Sequence, residues 1–206
     1  MRKALLGVLL AASMAAAHAS GTATVTCGQP GQTGQQQSYF GYGWGGTPII
    51  NVTYSTGGDG GQPGVFWLGI LTPDQQVADA LNINQQWIQY TGGLYPPNQV
   101  FTSGMPGTVT VSIPLPGDPS DTSQYVGYTI YAGHGVLTTQ DQQEVAYRRQ
   151  YLNANEARMQ QNGTWNSAYA DDSQFEWALV QKDMLDNNKW GAVITIPYVN
   201  CDPFGN

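Results

Sequence analysis

The chain has 206 residues and is acidic, with seven lysines and arginines against 14 aspartates and glutamates. No Lys or Arg occurs between Ser20 and Tyr147. Binding to nucleic acids and attraction to anionic lipids both need a basic surface, so the composition argues against these two classes of partner. The length is sufficient for one domain with a hydrophobic core.

The first 19 residues have the three parts of a secretory signal peptide. Arg2 and Lys3 form a basic start, residues 4–17 are apolar, and Ala17-His18-Ala19 is a small-x-small cleavage site. We predict cleavage before Ser20 and export of the mature chain. An uncleaved anchor is the alternative, but the apolar stretch is shorter than the roughly 20 residues of a membrane span. No later stretch is long enough to span a membrane.

Two cysteines, Cys27 and Cys201, lie near the two ends of the mature chain. In an exported protein they most simply form one disulfide that ties the termini together. Free thiols or an intermolecular bridge are the alternatives. Two cysteines this far apart do not make a metal motif.

The chain from residue 20 to 123 predicts short strands separated by turns that contain Gly or Pro. Residues 77–84 fit either a helical turn or the second arm of a hairpin. The predicted strands are 22–27, 48–54, 65–71, 86–90 and 108–113.

Residues 28–46 are rich in Gly and Gln and end in the aromatic residues Tyr39, Phe40, Tyr42 and Trp44. This segment has too little aliphatic surface to build its own core. It is either a loosely ordered, self-associating tract or an ordered loop with one or two rings in the core.

The stretch 124–144 divides a strand-rich half from a helical half. Val126, Tyr128, Ile130 and Ala132 alternate with their neighbours, which predicts a buried central strand. We predict that Gly133-His134-Gly135 breaks this strand and that His134 is a turn residue; a general base or a metal ligand is the alternative for its imidazole. Thr138 or Thr139 would then cap a helix.

Two helices and a last strand complete the chain. The first helix, about 139–161, has a weak apolar stripe and should lie on the surface. The second follows Asp171, Asp172 and Ser173, with Phe175, Leu179 and either Trp177 or Val180 on its inner face. The last strand is 190–199. The predicted fold is mainly β: one β-sandwich domain over 20–206, immunoglobulin-like or jelly-roll-like, with a helical insertion at 138–188.

Several motifs of this chain resemble motifs of a known protein module. FWLGIL-TPDQQ, QQWIQYTGGLYPP, TVTVSIPLP and QYVGYTIYAGHG occur in that order, and KDMLDNNKWGAVITIPYV follows the helices. Together, residues 66–135 and 182–199 are similar to a module of secreted proteobacterial surface proteins, some of them pilus-associated. His134 and the long Gln-rich helix depart from that pattern. The resemblance implies a β-sandwich outside a bacterial cell or at its surface, with the periplasm as the alternative, and it carries no catalytic residues.

No catalytic signature stands out, and we predict that the protein is not an enzyme. GxSxG is absent, and zinc sites usually need at least three ligands, whereas the chain after residue 19 has one histidine and two cysteines that are expected to pair. Asp171, Asp172 and Glu176 could serve a hydrolase, but the two aspartates stand where helix caps are wanted. Loop aspartates Asp59, Asp118 and Asp121 are weak Ca²⁺ candidates, and no firm metal or cofactor follows from them.

Aromatic residues in loop-like stretches are the candidates for binding a partner or forming an interface. Trp67, Trp87 and Trp177 are instead expected in the core. The candidates are Tyr39, Tyr42, Trp44, Tyr95 and Trp165.

The sequence therefore predicts a non-enzymatic surface, matrix or filament-forming protein that self-associates, with residues 20–27 as the strand lent to a neighbour. The alternative is a carbohydrate-binding or adhesin module that uses loop aromatics to hold a glycan or another cell-surface partner. A hydrolase using Asp171 or Glu176 is the third hypothesis.

Overall fold

A computed structural model of the protein describes residues 20–28, 46–117 and 119–202. Within this part of the chain, two antiparallel sheets face each other, and two helices precede the last strand. The β-sandwich with a helical insertion is therefore confirmed. The strands are β1 (Ser20–Gly28), β2 (Thr47–Ser55), β3 (Gly64–Leu71), β4 (Ala78–Leu81), β5 (Trp87–Gln89), β6 (Gln99–Phe101), β7 (Thr108–Pro114), β8 (Thr129–Val136) and β9 (Trp190–Thr195), and the helices are α1 (Thr139–Gln161) and α2 (Ser173–Asp186).

The smaller sheet has the order β1-β2-β7, and the larger has the order β5-β4-β3-β8-β9, with β6 also pairing with β3. Alternate residues of the strands point into the space between the sheets, as the period of two requires. The main core contains these buried side chains from both sheets: Ile50, Val52, Tyr54, Phe66, Leu68, Ile70, Leu81, Val109, Val111, Ile113, Ile130, Ala132 and Val136.

A second apolar cluster lies on the outer face of the larger sheet. Val180 and Met184 of α2 are buried against Val65 and Trp67 of β3. The predicted inner face of this helix was therefore only partly correct. Val180 was among the candidates, but Phe175 is half-buried and its ring lies under the Arg148 guanidinium, 5.1 Å from the ring centre.

The prediction that Gly133-His134-Gly135 ends the central strand is wrong. β8 runs from Thr129 to Val136, and both glycines pair with β3 inside the sheet. They are small because α2 crosses directly above them: a Cβ on Gly135 would lie 2.0 Å from the Val180 carbonyl oxygen. The glycines thus mark a close contact between helix and strand, and His134 is a strand residue rather than a turn residue.

The N-terminal end of β8 also differs from the prediction. Residues 123–125 form a 3₁₀ turn, so Val126 and Tyr128 precede the strand, and Val126 is exposed. β9 stops at Thr195, two residues before Pro197, which has no backbone N–H to donate. Residues 78–81 form the hairpin arm rather than a helical turn. The strand β6 was not predicted, because its three residues are too few to show a periodic pattern.

Helix α1 begins with the predicted cap at Thr138. The Asp141 N–H donates to Thr138 Oγ1 at 3.2 Å, and the Asp141 carboxylate accepts from the Thr138 N–H at 3.0 Å, which completes a capping box. Leu152 is the buried residue of α1, so the prediction of a surface helix is confirmed. Neither α1 nor any other helix in the described ranges is long and apolar enough to cross a membrane.

Candidate functional site

The N-terminal strand β1 forms one edge of the smaller sheet. It pairs with β2 along its whole length, from Ser20 opposite Ser55 to Gly28 opposite Thr47. Ala23 and Val25 are its side chains that pack, partly buried, against the main core. Most of its contact with the sheet is therefore backbone hydrogen bonding rather than apolar burial.

The disulfide between Cys27 and Cys201 is present, as predicted, with the two Cα atoms 5.3 Å apart. Cys27 is exposed near the end of β1, whereas Cys201 is buried. The Cys201 N–H donates to Ser120 O at 3.0 Å, and the Gly46 N–H donates to Cys201 O at 3.1 Å. Cys201 thus belongs to the body of the sandwich, and the disulfide fastens the end of β1 to it.

A second feature is a network of polar side chains, here called the charged cluster: Tyr54, Asp59, His134, Asp183 and Lys189. His134 Nδ1 lies 3.0 Å from the Tyr54 hydroxyl, and His134 Nε2 lies 2.9 Å from Asp59 Oδ2. Lys189 Nζ donates to Asp59 Oδ2 and to Asp183 Oδ2, both at 2.7 Å. One cation therefore joins two carboxylates beside a buried imidazole.

The charged cluster connects five separate parts of the fold. Tyr54 is on β2, Asp59 is in the Gly-rich turn after it, His134 is on β8, Asp183 is on α2, and Lys189 precedes β9. The backbone also takes part: the Val136 N–H donates to Asp183 Oδ2 at 2.9 Å. Because all these groups bond one another, the cluster fixes the helix and the turn to both sheets.

The hydrogen bonds place the protons of the cluster once the neutral form of His134 is taken, which burial favours by lowering the pKa of the imidazole. Asp59 can only accept, so His134 Nε2 carries the proton that it donates to the carboxylate. A neutral imidazole then leaves Nδ1 as an acceptor for the Tyr54 hydroxyl. That hydroxyl donates to Lys189 O at 2.8 Å and lies 3.0 Å from Nδ1.

The environment shifts the pKa values of the cluster in a consistent way. Burial lowers the pKa of His134 below its ordinary 6.5, although the Asp59 carboxylate opposes the shift. Burial disfavours the charged forms of Asp59 and Lys189, but their hydrogen bonds outweigh it. The pKa of Asp59 is held below 3.8 by Lys189 and His134, and that of Lys189 above 10.5 by Asp183 and Asp59. Burial also raises the pKa of Tyr54.

These shifts predict a stability that falls on acidification in two stages. Between the unfolded-state pKa of 6.5 and the lower pKa of folded His134, the unfolded chain binds the extra proton, so the free energy of unfolding decreases as the pH falls. Asp59 adds a second decrease below about 3.8. Denaturant unfolding measured from pH 8 down to pH 2 should show both.

His134 is the only histidine after residue 19, which makes the first stage assignable. His134→Gln keeps one donor for Asp59 and one acceptor for Tyr54 but does not titrate. We expect this variant to lose the slope that begins as the pH falls through about 6.5, while it keeps the decrease below about pH 3.8. An unchanged slope in the variant would assign the proton uptake to another group.

Two of the three predicted hydrolase carboxylates, Asp171 and Asp172, have internal partners, and Glu176 is a half-buried residue of the first turn of α2. The Asp171 carboxylate accepts the Ser173 N–H, the first N–H of α2, at 2.9 Å, although Asp171 lies one residue before the N-cap. Asp172 does not cap through its side chain; it accepts from Arg149 Nε at 2.8 Å and also pairs with Arg148. That part of the capping prediction is wrong because two cations of α1 compete for the carboxylate. The pairing joins α1 to α2.

Two of the weak Ca²⁺ candidates, Asp59 and Asp121, are described, and each has its own partner. Asp59 belongs to the charged cluster, and the Asp121 carboxylate accepts the Ser123 N–H at 2.8 Å in a turn. Asp118 lies outside the described residues. Within residues 20–28, 46–117 and 119–202, no group of three or more metal-ligating side chains occurs.

The aromatic candidates have different surroundings. Tyr95 is half-buried, packs on the second apolar cluster and stacks on Tyr90 with ring centres 4.4 Å apart. Trp165 is half-buried and meets Tyr169 edge-on at 5.6 Å. Tyr39, Tyr42 and Trp44 lie outside the described residues. Of the tryptophans expected in the core, Trp67 is buried, and Trp87 and Trp177 pack against the clusters from partly buried positions.

Comparison of the chain with protein-family models, with curated proteins and with solved structures finds no match. The resemblance to surface-protein modules therefore stays a prediction, and the functional argument rests on the geometry of β1, the disulfide and the charged cluster.

Proposed function

We propose that the protein is a secreted, non-enzymatic structural subunit that assembles by exchanging its N-terminal strand β1 between copies. The observation that carries this proposal is the combination of a full-length edge pairing with little burial. β1 keeps nine residues in register with β2, yet the hydrophobic side chains that it packs against the core are Ala23 and Val25, both only partly buried. Such a strand can be replaced by the same strand of another copy.

The energetics of exchange favour this element over the others. A β1 from a second copy would make the same backbone hydrogen bonds and the same contacts, so the exchange conserves nearly all of the stabilising free energy. Gly21 adds specificity, because a Cβ there would lie 2.5 Å from Val193 Cγ1 and 2.9 Å from the Tyr54 ring. The vacated groove therefore accepts this sequence better than a generic strand.

The charged cluster supports a structural role as well. His134 is 2% exposed, and its two ring nitrogens both lie within hydrogen-bond distance of protein groups. Asp59 and Asp183 both pair with Lys189. Groups bonded in this way stabilise the sandwich, which supports a structural role for the cluster.

Cross-linking between copies tests the proposal directly. Thr22 and Thr53 are register partners on β1 and β2, and both are exposed. In a background with Cys27→Ser and Cys201→Ser, one batch would carry Thr22→Cys and the other Thr53→Cys. We expect mixing at high concentration, followed by mild oxidation, to give a covalent heterodimer, because β1 of one copy then pairs with β2 of the other.

The matched control replaces Thr53→Cys by Thr110→Cys. Thr110 is an exposed threonine of β7, opposite Thr53 but one strand farther from β1, a further separation of about 4.8 Å. The exchanged pair should cross-link much faster than this control. Equal yields from the two mixtures would show random collision and would overturn strand exchange. Electron microscopy of the product then separates closed dimers from open filaments.

A further inference from the structure

The disulfide lies at the C-terminal end of β1, where it can control the exchange of this strand. Cys27 lies one residue from the end of β1, in register with Pro48 of β2, and its partner Cys201 is held by the body through Ser120. While this bond is intact, the end of β1 is covalently fixed to its own sandwich. The strand cannot then pair along its whole length with a second copy.

An exchanged β1 would bring the same two cysteines together between copies. Because the donated strand repeats the register, its Cys27 takes the position of the recipient's own Cys27, with Cα 5.3 Å from the recipient's Cys201. That separation is the usual one for a disulfide. Residues 29–45 join β1 to β2, and a chain of that length, at about 3.4 Å per residue, is long enough to reach a neighbouring copy.

We propose that thiol–disulfide exchange at Cys27–Cys201 switches the protein between a closed monomer and a covalently joined assembly. The inference rests on the proposed strand exchange and adds its control. The intramolecular bond keeps each newly folded copy closed, and the same pair of cysteines, formed between copies, locks the exchanged strand in place. The partner of the disulfide-bearing edge is therefore a second copy of this chain.

A small thiol can catalyse the transfer of the disulfide from within one copy to between two copies. The thiolate attacks the exposed Cys27 sulfur, the Cys27–Cys201 bond breaks, and the Cys201 sulfur leaves as a thiolate. β1, now carrying the thiol as a mixed disulfide on Cys27, moves to a second copy opened in the same way. The Cys201 thiolate of that copy attacks the Cys27 sulfur and releases the small thiol. No net oxidation or reduction occurs, so a glutathione buffer suffices.

The test uses the wild-type protein in two isotopic forms. Equal amounts of ¹⁵N-labelled and unlabelled oxidised protein are concentrated together with or without reduced glutathione, quenched with acid and digested with pepsin. Mass spectrometry then identifies the disulfide-linked peptides. We expect about half of the Cys27–Cys201 peptides to be of mixed isotope when glutathione is present, and none when it is absent. Cys27–Cys27 and Cys201–Cys201 peptides, the mark of random reshuffling, should stay rare.

The outcomes distinguish a failure of regulation by the disulfide from a failure of the strand exchange itself. In one outcome, the disulfides stay within one isotope in glutathione, although the serine background cross-links through Thr22→Cys and Thr53→Cys. This result would overturn regulation by the disulfide but not the strand exchange. Assembly of the oxidised wild-type protein without any thiol, measured by light scattering, would also overturn regulation by the disulfide. Abundant homotypic peptides would show that the mixing arises from unfolded chains, which overturns the proposed geometry.

Discussion

Replacing Lys189 with methionine should destabilise the protein by about 3–5 kcal/mol, the cost of removing one partner from a buried ion pair. Lys189 is the cation between Asp59 and Asp183, and the side chains of Lys189 and Asp183 are 14% and 8% exposed. Methionine has a similar length but no charge, so two carboxylates lose their shared cation beside a buried imidazole. Denaturant unfolding at pH 7 measures the loss.

Lys182→Met is the matched control for this effect. Lys182 also pairs with an aspartate, Asp186, but both side chains are more than half exposed. An exposed pair is screened by solvent and contributes little, so this variant should unfold close to wild type. Adding Asp59→Asn to Lys189→Met should restore part of the lost stability, because one unpaired carboxylate is removed. Equal losses for the two lysine variants would mean that the cluster is as solvated as the surface pair.

Periodicity predicted the sandwich because its signal is local. Residues 108–113 alternate so regularly that they could be assigned to a strand directly, and residues 48–54 and 65–71 are bounded by Gly- and Pro-containing turns. The disulfide followed from the number and placement of the cysteines. The course of β8 did not follow, because Gly-His-Gly is locally a turn signal, and only the helix packed above it explains the glycines.

The charged cluster could not be predicted in the same way. His134 was singled out as a lone histidine, but Tyr54 looked like an ordinary strand residue, and Asp183 and Lys189 like residues of a solvated helix end. Their contacts join positions far apart in sequence: Tyr54 and His134 are 80 residues apart. One signal was available: few cations occur in this acidic chain, and Lys189 directly precedes an apolar strand.

The cluster and the exchanged strand complement each other. Tyr54 is opposite Gly21 of β1 in the sheet, and its hydroxyl reaches His134 and Lys189. The cluster therefore holds β2, β8 and α2 in place independently of β1. The proposed strand exchange requires a sandwich that keeps its recipient groove formed while β1 is absent, and these contacts between β2, β8 and α2 favour it.

Gly135→Ala is the second substitution with a large expected effect, because it drives α2 away from the sheet. A Cβ at this position would lie 2.0 Å from the Val180 carbonyl oxygen and 3.0 Å from its carbon, and a backbone carbonyl cannot rotate aside as a side chain can. The helix must shift, which loosens Val180 and Met184 against Val65 and Trp67. We expect a loss of about 3 kcal/mol, at the upper end of ordinary overpacking.

Gly107→Ala serves as the control, since Gly107 is exposed and a Cβ there would meet no atom within 4 Å. Its effect should stay within about 0.5 kcal/mol. Tryptophan fluorescence adds a local readout: Trp67, Trp177 and Trp190 all belong to or border the apolar cluster under α2, so Gly135→Ala should red-shift the emission before global unfolding. If both variants unfold alike and keep the wild-type emission, α2 does not rest on the glycines of β8. The explanation of the Gly-His-Gly sequence as a helix contact would then fail.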